Sequence, residues 1–194
     1  MRKLFIIMRN IKEFINEKLK VSKENTLKHT LFPKNREDLI DMIIKKINEE
    51  GPECDLNCID VSAIDNFVGV FSVSGTKQFD GNISNWNMSN AISLNGMFNY
   101  SMFSGINGGI EDWDVSNVET MDYIFSGSKF NSDISNWNVE KVRSMVGAFS
   151  NCPFEQDIDS WNPKSIEHGG FRKTFYHCAL KEKKKLPKWY KAGL

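Results

Sequence analysis

The sequence predicts an α/β repeat fold, a solenoid of about five coils of 24–27 residues behind an N-terminal helical cap. Three observations carry this expectation. First, one heptapeptide recurs around a tryptophan: "NISNWNM" at 82–88, "GIEDWDV" at 109–115, "DISNWNV" at 133–139 and, blurred, "DIDSWNP" at 157–163. Trp86, Trp113, Trp137 and Trp161 are therefore 27, 24 and 24 residues apart. Second, other apolar residues keep step with them. Ile83, Ile110, Ile134 and Ile158 precede each Trp by three, and Phe98, Phe125, Phe149 and Phe175 close each unit. Third, a degenerate unit fits upstream, with Ile59 in the Trp place, Val61 after it and Phe71 at its close. A period of this length marks a stack in which no unit can bury its apolar face alone.

Within a unit, the Trp-x-Val spacing of Trp137 and Val139 has the two-residue alternation of a short strand with one buried face. Val118, Met121 and Phe125 then fall three and four apart, the stripe of a short helix, with Ser116 as N-cap and Glu119 in capping-box position. Each coil is thus expected to run strand, tight turn, short helix and return. Three residues beyond each closing Phe stand Ser74, Ser101, Ser128, Cys152 and Cys178, the mark of a tight interior corner. This register makes Cys152 and Cys178 neighbours on adjacent coils, close enough for a disulfide.

The domain organisation follows: a helical cap over 1–51, the repeats over 52–178 and a basic cap or tail over 179–194. Asn35 as N-cap, the stripe Leu39, Met42, Ile43 and Ile47, and Gly51 as stop signal predict an amphipathic helix within 34–51. Residues 4–19 are a second helix candidate. The formal charge is zero but uneven. Residues 1–50 hold 12 Lys/Arg against 8 Asp/Glu, 51–178 hold 7 against 16, and 179–194 hold 6 against 1. An acidic middle speaks against nucleic-acid binding there, and leaves the basic tail as the only place for it. The opening "MRKLFIIMRNIKEF" has too short an apolar run for a signal-peptide core or a bilayer span, which points to a cytoplasmic protein and no membrane partner.

The stretches "FNSDISNWNVEKVRSMVGAF" (130–149) and "EDWDVSNVETMDYIF" (111–125) resemble the bacterial surface-protein repeat of about 25 residues related to BspA-type leucine-rich repeats, the DUF285 type. The resemblance covers roughly 55–178. It implies a right-handed leucine-rich-repeat-like solenoid, a binding or adhesion role and no shared enzymatic activity. The stretch "NIKEFINEKLKVSK" is similar to the starts of small proteins of Bacteroidetes phages, which suggests a phage-encoded member.

The candidate partner-binding residues flank the tryptophans: Asn85, Asn87, Asp112, Asp114, Asn136, Asn138, Ser160 and Asn162, with Asp60 in the first unit. Short polar side chains in such a column suit a ligand strip, and equally a ladder of side-chain-to-backbone hydrogen bonds. Asp112 with Asp114 and Asp157 with Asp159 lack the glycine-turned loop and bidentate glutamate of a calcium site. Cys54 and Cys58 lack a second ligand pair for zinc. His29, His168 and His177 stand in no catalytic motif, so no metal, cofactor or catalytic residue is expected. The sequence points to a non-enzymatic protein that binds another macromolecule, a protein, through its repeats. The alternatives are a phage inhibitor of a host defence nuclease and a structural or packaged virion protein, which extends the expected location from the host cytoplasm to the virion.

Overall fold

The computed structural model describes residues 29–192. The helix expected over 4–19 lies outside them. Helix α1 (Arg36–Glu50) forms where the apolar stripe places it. Asn35 caps it by accepting the Asp38 amide at 2.9 Å, and the Gly51 amide closes it onto the Ile47 carbonyl. Leu39 and Ile43 are fully buried against the first repeat, with Met42 and Ile47 packed beside them. Two short helices follow the repeats, α2 (Ala179–Glu182) and α3 (Lys188–Ala192).

Between these helices the expected right-handed, leucine-rich-repeat-like α/β solenoid does not form. Among the described residues there is no sheet and no helix within the repeats. The repeats are built from turns, joined by isolated parallel bridges such as Asn66 to Ser93, Ser93 to Thr120 and Thr120 to Ser144. The two-residue alternation misleads for a specific reason. The Trp137 amide does not donate to a neighbouring strand but back to Ile134 at 3.1 Å, as those of Trp86, Trp113 and Trp161 do within their own units. Trp137 and Val139 are buried in the short link between two turns, closed by the Trp137 amide on Ile134 and the Val142 amide on Val139, and no strand forms there.

The helical stripe misleads in the same way. In the second repeat the amides of Met97, Asn99 and Ser101 donate three residues back, to Leu94, Gly96 and Phe98. The amides between them, of Gly96, Phe98 and Tyr100, donate forward to Asp122, Ile124 and Ser126 of the next repeat, at 2.7–2.9 Å. Tyr123, Phe125 and Gly127 repeat the pattern onto Val146, Ala148 and Ser150. An α-helix would keep all these bonds within itself. Overlapping turns instead bury a residue about every three positions, as at Val118, Met121 and Ile124, so the apolar spacing imitates a helix. Ser116 is no helix cap, since its amide donates to Asp114 in a turn.

Left-handed backbone enforces this path. Gly96, Tyr100, Tyr123, Gly127, Gly147 and Asn151 all have φ between 52 and 67°. Gly147 has a second constraint: a Cβ there would lie 2.6 Å from the Tyr123 ring of the preceding repeat.

Three aromatic columns fill the interior. The tryptophan rings stack 6.3–6.4 Å apart and within 5° of parallel. The closing Phe71, Phe98, Phe125, Phe149 and Phe175 form the second column, at 5.2–5.7 Å. Phe79, Phe103, Phe130 and Phe154 form the third, at 5.9–6.2 Å. Each indole donates to the carbonyl of the Ile or Leu one repeat earlier: Trp86 to Leu56, Trp113 to Ile83, Trp137 to Ile110 and Trp161 to Ile134, at 2.9–3.2 Å. Trp189 of α3 continues the column, stacked 6.1 Å from Trp161 and bonded to Ile158 at 2.8 Å.

The corner column holds for Ser101, Ser128, Cys152 and Cys178, all buried, but not for Ser74, which is exposed. Phe71 and Phe79 are eight residues apart where Phe98 and Phe103 are five, and the buried Thr76 takes the polar place, donating to Val70 at 2.8 Å.

Trp137→Ala is expected to cost about 3–5 kcal/mol in denaturant titration, as large-to-small aromatic changes in cores do. Trp137→Phe should fall between the two, because it keeps a ring but withdraws one donor from the buried Ile110 carbonyl. No loss in Trp137→Phe would mean that the indole bond contributes nothing.

Candidate binding surface

The residues on either side of each buried Trp point outward. Those that follow it are clamped onto their own backbone. Asp60, Asn87, Asp114 and Asn138 each accept the amide two residues on, at 2.9–3.1 Å. Such turns are what short Asp and Asn side chains favour over helix or strand. Asn162 differs and donates instead to Glu140 at 3.3 Å.

A second set of clamped side chains escaped the sequence reading. Asp55, Asn82, Asp133 and Asp157, one residue before the repeated Ile or Leu, accept the amides of Asn57, Ser84, Ser135 and Asp159 at 2.8–3.1 Å. Their signal was present as "D-I-S" and "N-I-S", a polar residue with small or polar company two positions on. The third repeat departs, with Gly109 in that place and the Glu111 carboxylate folded against it.

The residues that precede each Trp are less constrained. Ser160 donates to the Ser135 carbonyl at 2.7 Å. The side chains of Asn85, Asp112 and Asn136 are exposed and reach no hydrogen-bond partner among the described residues. The structure thus divides the eight predicted residues into clamped ones (Asn87, Asp114, Asn138), cross-linked ones (Ser160, Asn162) and three with free polar tips. Asn136 and Ser160 also line a cleft of ≈420 Å³ with Asp133, Ser135, Gln156, Asp157 and Asp159.

The clamps set the electrostatics. Asp114 is held below the usual carboxylate range by the Ser116 side chain and amide, and Asp60 likewise by Ser62 with His29 nearby. Asp133 is lowered by the amide and hydroxyl of Ser135. These three carboxylates therefore keep their negative charge further into acid than free ones would. Lysines answer part of it: Lys164 pairs with Glu140 at 2.7 Å and Lys188 with Asp159 at 2.9 Å, while Lys183 pairs with Glu155. Basic residues of the C-terminal segment are thus spent partly on the acidic repeats.

The cysteines are all free thiols. Cys152 and Cys178 donate to Phe130 and Phe154, each one repeat back, at 3.2 Å. Burial pushes the Cys152 thiol up to about 12 and Cys178 up to about 11. Among the described residues no group of three or more His, Cys, Asp and Glu side chains could hold a metal ion, and no helix is long and apolar enough to cross a membrane.

Fold and surface together define a repeat protein whose tryptophan-centred turns stack into one core and line one edge with polar side chains. The chain belongs to the family described as "Mycoplasma protein of unknown function, DUF285", whose model matches residues 41–103 and 100–191. No curated protein and no solved structure matches it.

Asp114→Ala should lose about 0.5–1.5 kcal/mol at neutral pH, the worth of one such hydrogen bond, whereas Asp114→Asn should be near neutral because Asn87 and Asn138 already fill this column. The lowered Asp114 value stabilises the fold above the ordinary carboxylate range, and that increment is lost as pH falls through the folded value. Asn should therefore flatten the acid limb of the stability curve, and an unchanged limb would contradict the clamp.

The buried thiols give the opposite sign: their contribution is complete below the ordinary thiol value and is lost as pH rises toward 11 and 12. Iodoacetamide at neutral pH should label the half-buried Cys58 well before Cys152 or Cys178, read by peptide mapping. Equal labelling rates would mean that the corner column is open.

Proposed function

We propose that this chain is a non-enzymatic binding protein that uses the polar edge beside its tryptophans to recognise another protein. One observation carries the reading: Asn85, Asp112 and Asn136 present free polar tips at the same place in three successive repeats. The turns around them are already fixed by side-chain clamps, so little ordering remains to be done on binding. An acidic strip selects a partner with a basic face.

A second reading draws on the same carboxylates: inhibition of a host defence nuclease by mimicry of nucleic acid. It fits a phage-encoded protein acting in the host cytoplasm, which the likeness of its opening residues to phage proteins suggests. Against it, Asn87, Asn138 and Asn162 are neutral and only Asp60 and Asp114 are charged, so the column lacks the continuous charge of a phosphate backbone. A structural role in a virion is the third use of a rigid stack.

The triple variant Asn85→Arg, Asp112→Arg, Asn136→Arg tests the first reading, since all three side chains are exposed. Affinity capture from the producing cell with wild-type protein should enrich a partner that the variant loses, with circular dichroism unchanged. Retention of that partner by the variant would overturn the assignment of this edge, and loss of nuclease inhibition in the variant would favour the second reading.

A further inference from the structure

Bonds between repeats run both ways, backward at links such as Glu119 to Ile92 and Arg143 to Glu119, but forward along the turn segments. In every interface of the turn segments, amides of one repeat donate to carbonyls of the next. In the last such interface Met145, Gly147, Phe149 and Asn151 donate to Gly170, Arg172, Thr174 and Tyr176, at 2.8–3.0 Å. The fifth repeat therefore has its carbonyls satisfied. Its own forward amides, those of Phe171, Lys173, Phe175 and His177, reach no partner among the described residues. These donors recur at two-residue intervals along the chain, while the intervening amides turn back to Gly169, Phe171, Lys173 and Phe175; Phe175 is buried, and Lys173 and His177 are the exposed members of the row.

The two ends of the stack are not alike. At the first repeat, Arg36 of α1 donates to the Val68 carbonyl and Thr76 to Val70, so two acceptors of that edge are occupied. At the last, Trp189 of α3 donates to Ile158 and Tyr190 packs edge-on against Phe171 and Phe175 at 5.9 and 5.0 Å, but among the described residues α3 supplies no acceptor to the row. Beside it opens a cleft of ≈500 Å³ lined by Ile166, His168, Phe171, Arg172, Lys173 and Tyr190 among others. Glu167, also in its wall, is turned to Arg143 at 3.1 Å. Arg172, Lys173 and His177 are exposed along the row, and Lys181 lies 5.9 Å from the Tyr176 ring beside it.

We propose that this C-terminal edge is a docking site for an acidic polypeptide segment, which adds to the stack as a further turn would. Donors at this spacing are what the carbonyls of a neighbouring chain satisfy at each earlier interface, and this match favours a peptide over a nucleic acid. The surrounding Arg172 and Lys173 favour negative charge. A second copy does not fit. Joined edge to edge, donors would meet donors, and joined head to tail, the acceptors at Val68 and Val70 are already taken. Residues 1–28 carry 8 Lys/Arg against 3 Asp/Glu and are repelled by the same charges. This site shares no residue with the tryptophan edge and does not depend on it.

Amide hydrogen exchange on the full chain tests it. In the free protein Lys173 and His177 should exchange at least about tenfold faster than their bonded counterparts Gly147 and Asn151. A peptide of alternating glutamate and glycine should slow them, while a glutamine–glycine peptide should not. Arg172→Glu with Lys173→Glu should weaken binding of the labelled acidic peptide about tenfold or more, read by fluorescence anisotropy, with the Trp-edge variant unaffected. Protection of these amides in the free chain, self-association in light scattering, or binding of a single-stranded oligonucleotide in place of the peptide would overturn the proposal.

Discussion

A single carbonyl in each repeat holds two donors, and the rest of the structure is arranged around it. Ile83 accepts its own Trp86 amide and the Trp113 indole, both at 3.2 Å. Ile110 accepts Trp113 and the Trp137 indole, Ile134 accepts Trp137 and the Trp161 indole, and Ile158 accepts Trp161 and Trp189. Both lone pairs of a buried carbonyl are thereby satisfied without a strand. The indole replaces the ladder bond that a sheet would have supplied, and it also brings a large ring into the core. At about 150–250 Å² buried per aromatic ring, each contributes roughly 4–6 kcal/mol of transfer free energy.

This pairing fixes the register between repeats and leaves the corners free to vary. Extra residues between Phe71 and Phe79 and around Gly105 and Gly108 lengthen two units to 27 residues while the tryptophan column stays in line. Gly108, at φ 150°, approaches Asn82 of the previous repeat so closely that a Cβ would fall 2.3 Å from its side-chain oxygen. Insertion is absorbed where glycine permits it, and Ile106 at the tip is left exposed.

The period, the tryptophan column and helix α1 were legible in the sequence, because each rests on residues that are large, regularly spaced or sharply capped. The local conformation was not. A turn with its Asp or Asn clamp buries the residues on either side, as an alternating strand does, and overlapping turns bury every third or fourth residue, as a helix does. Burial patterns alone cannot separate these. The left-handed Tyr100 and Tyr123 are the decisive departures, and nothing in a tyrosine announces a positive φ. The third aromatic column was visible as Phe103, Phe130 and Phe154, each five residues beyond a closing Phe, but it was not counted. Of the polar strip, residue positions could be read from the sequence and the division between clamped and free side chains could not, since it depends on where each amide two residues on is aimed.

The same economy shapes what the molecule can offer to others. Local clamps and tryptophan bonds consume most polar groups, so those left over, at Asn85, Asp112 and Asn136 and along the last repeat, are few and fixed in place. The most direct test of this account is hydrogen exchange at the indole nitrogens, followed by NMR. Trp86, Trp113, Trp137 and Trp161 should exchange only through global unfolding, with the denaturant dependence of the whole fold. Rapid exchange at Trp113 or Trp137 under native conditions would contradict it, because the bond on which the register depends would not be there.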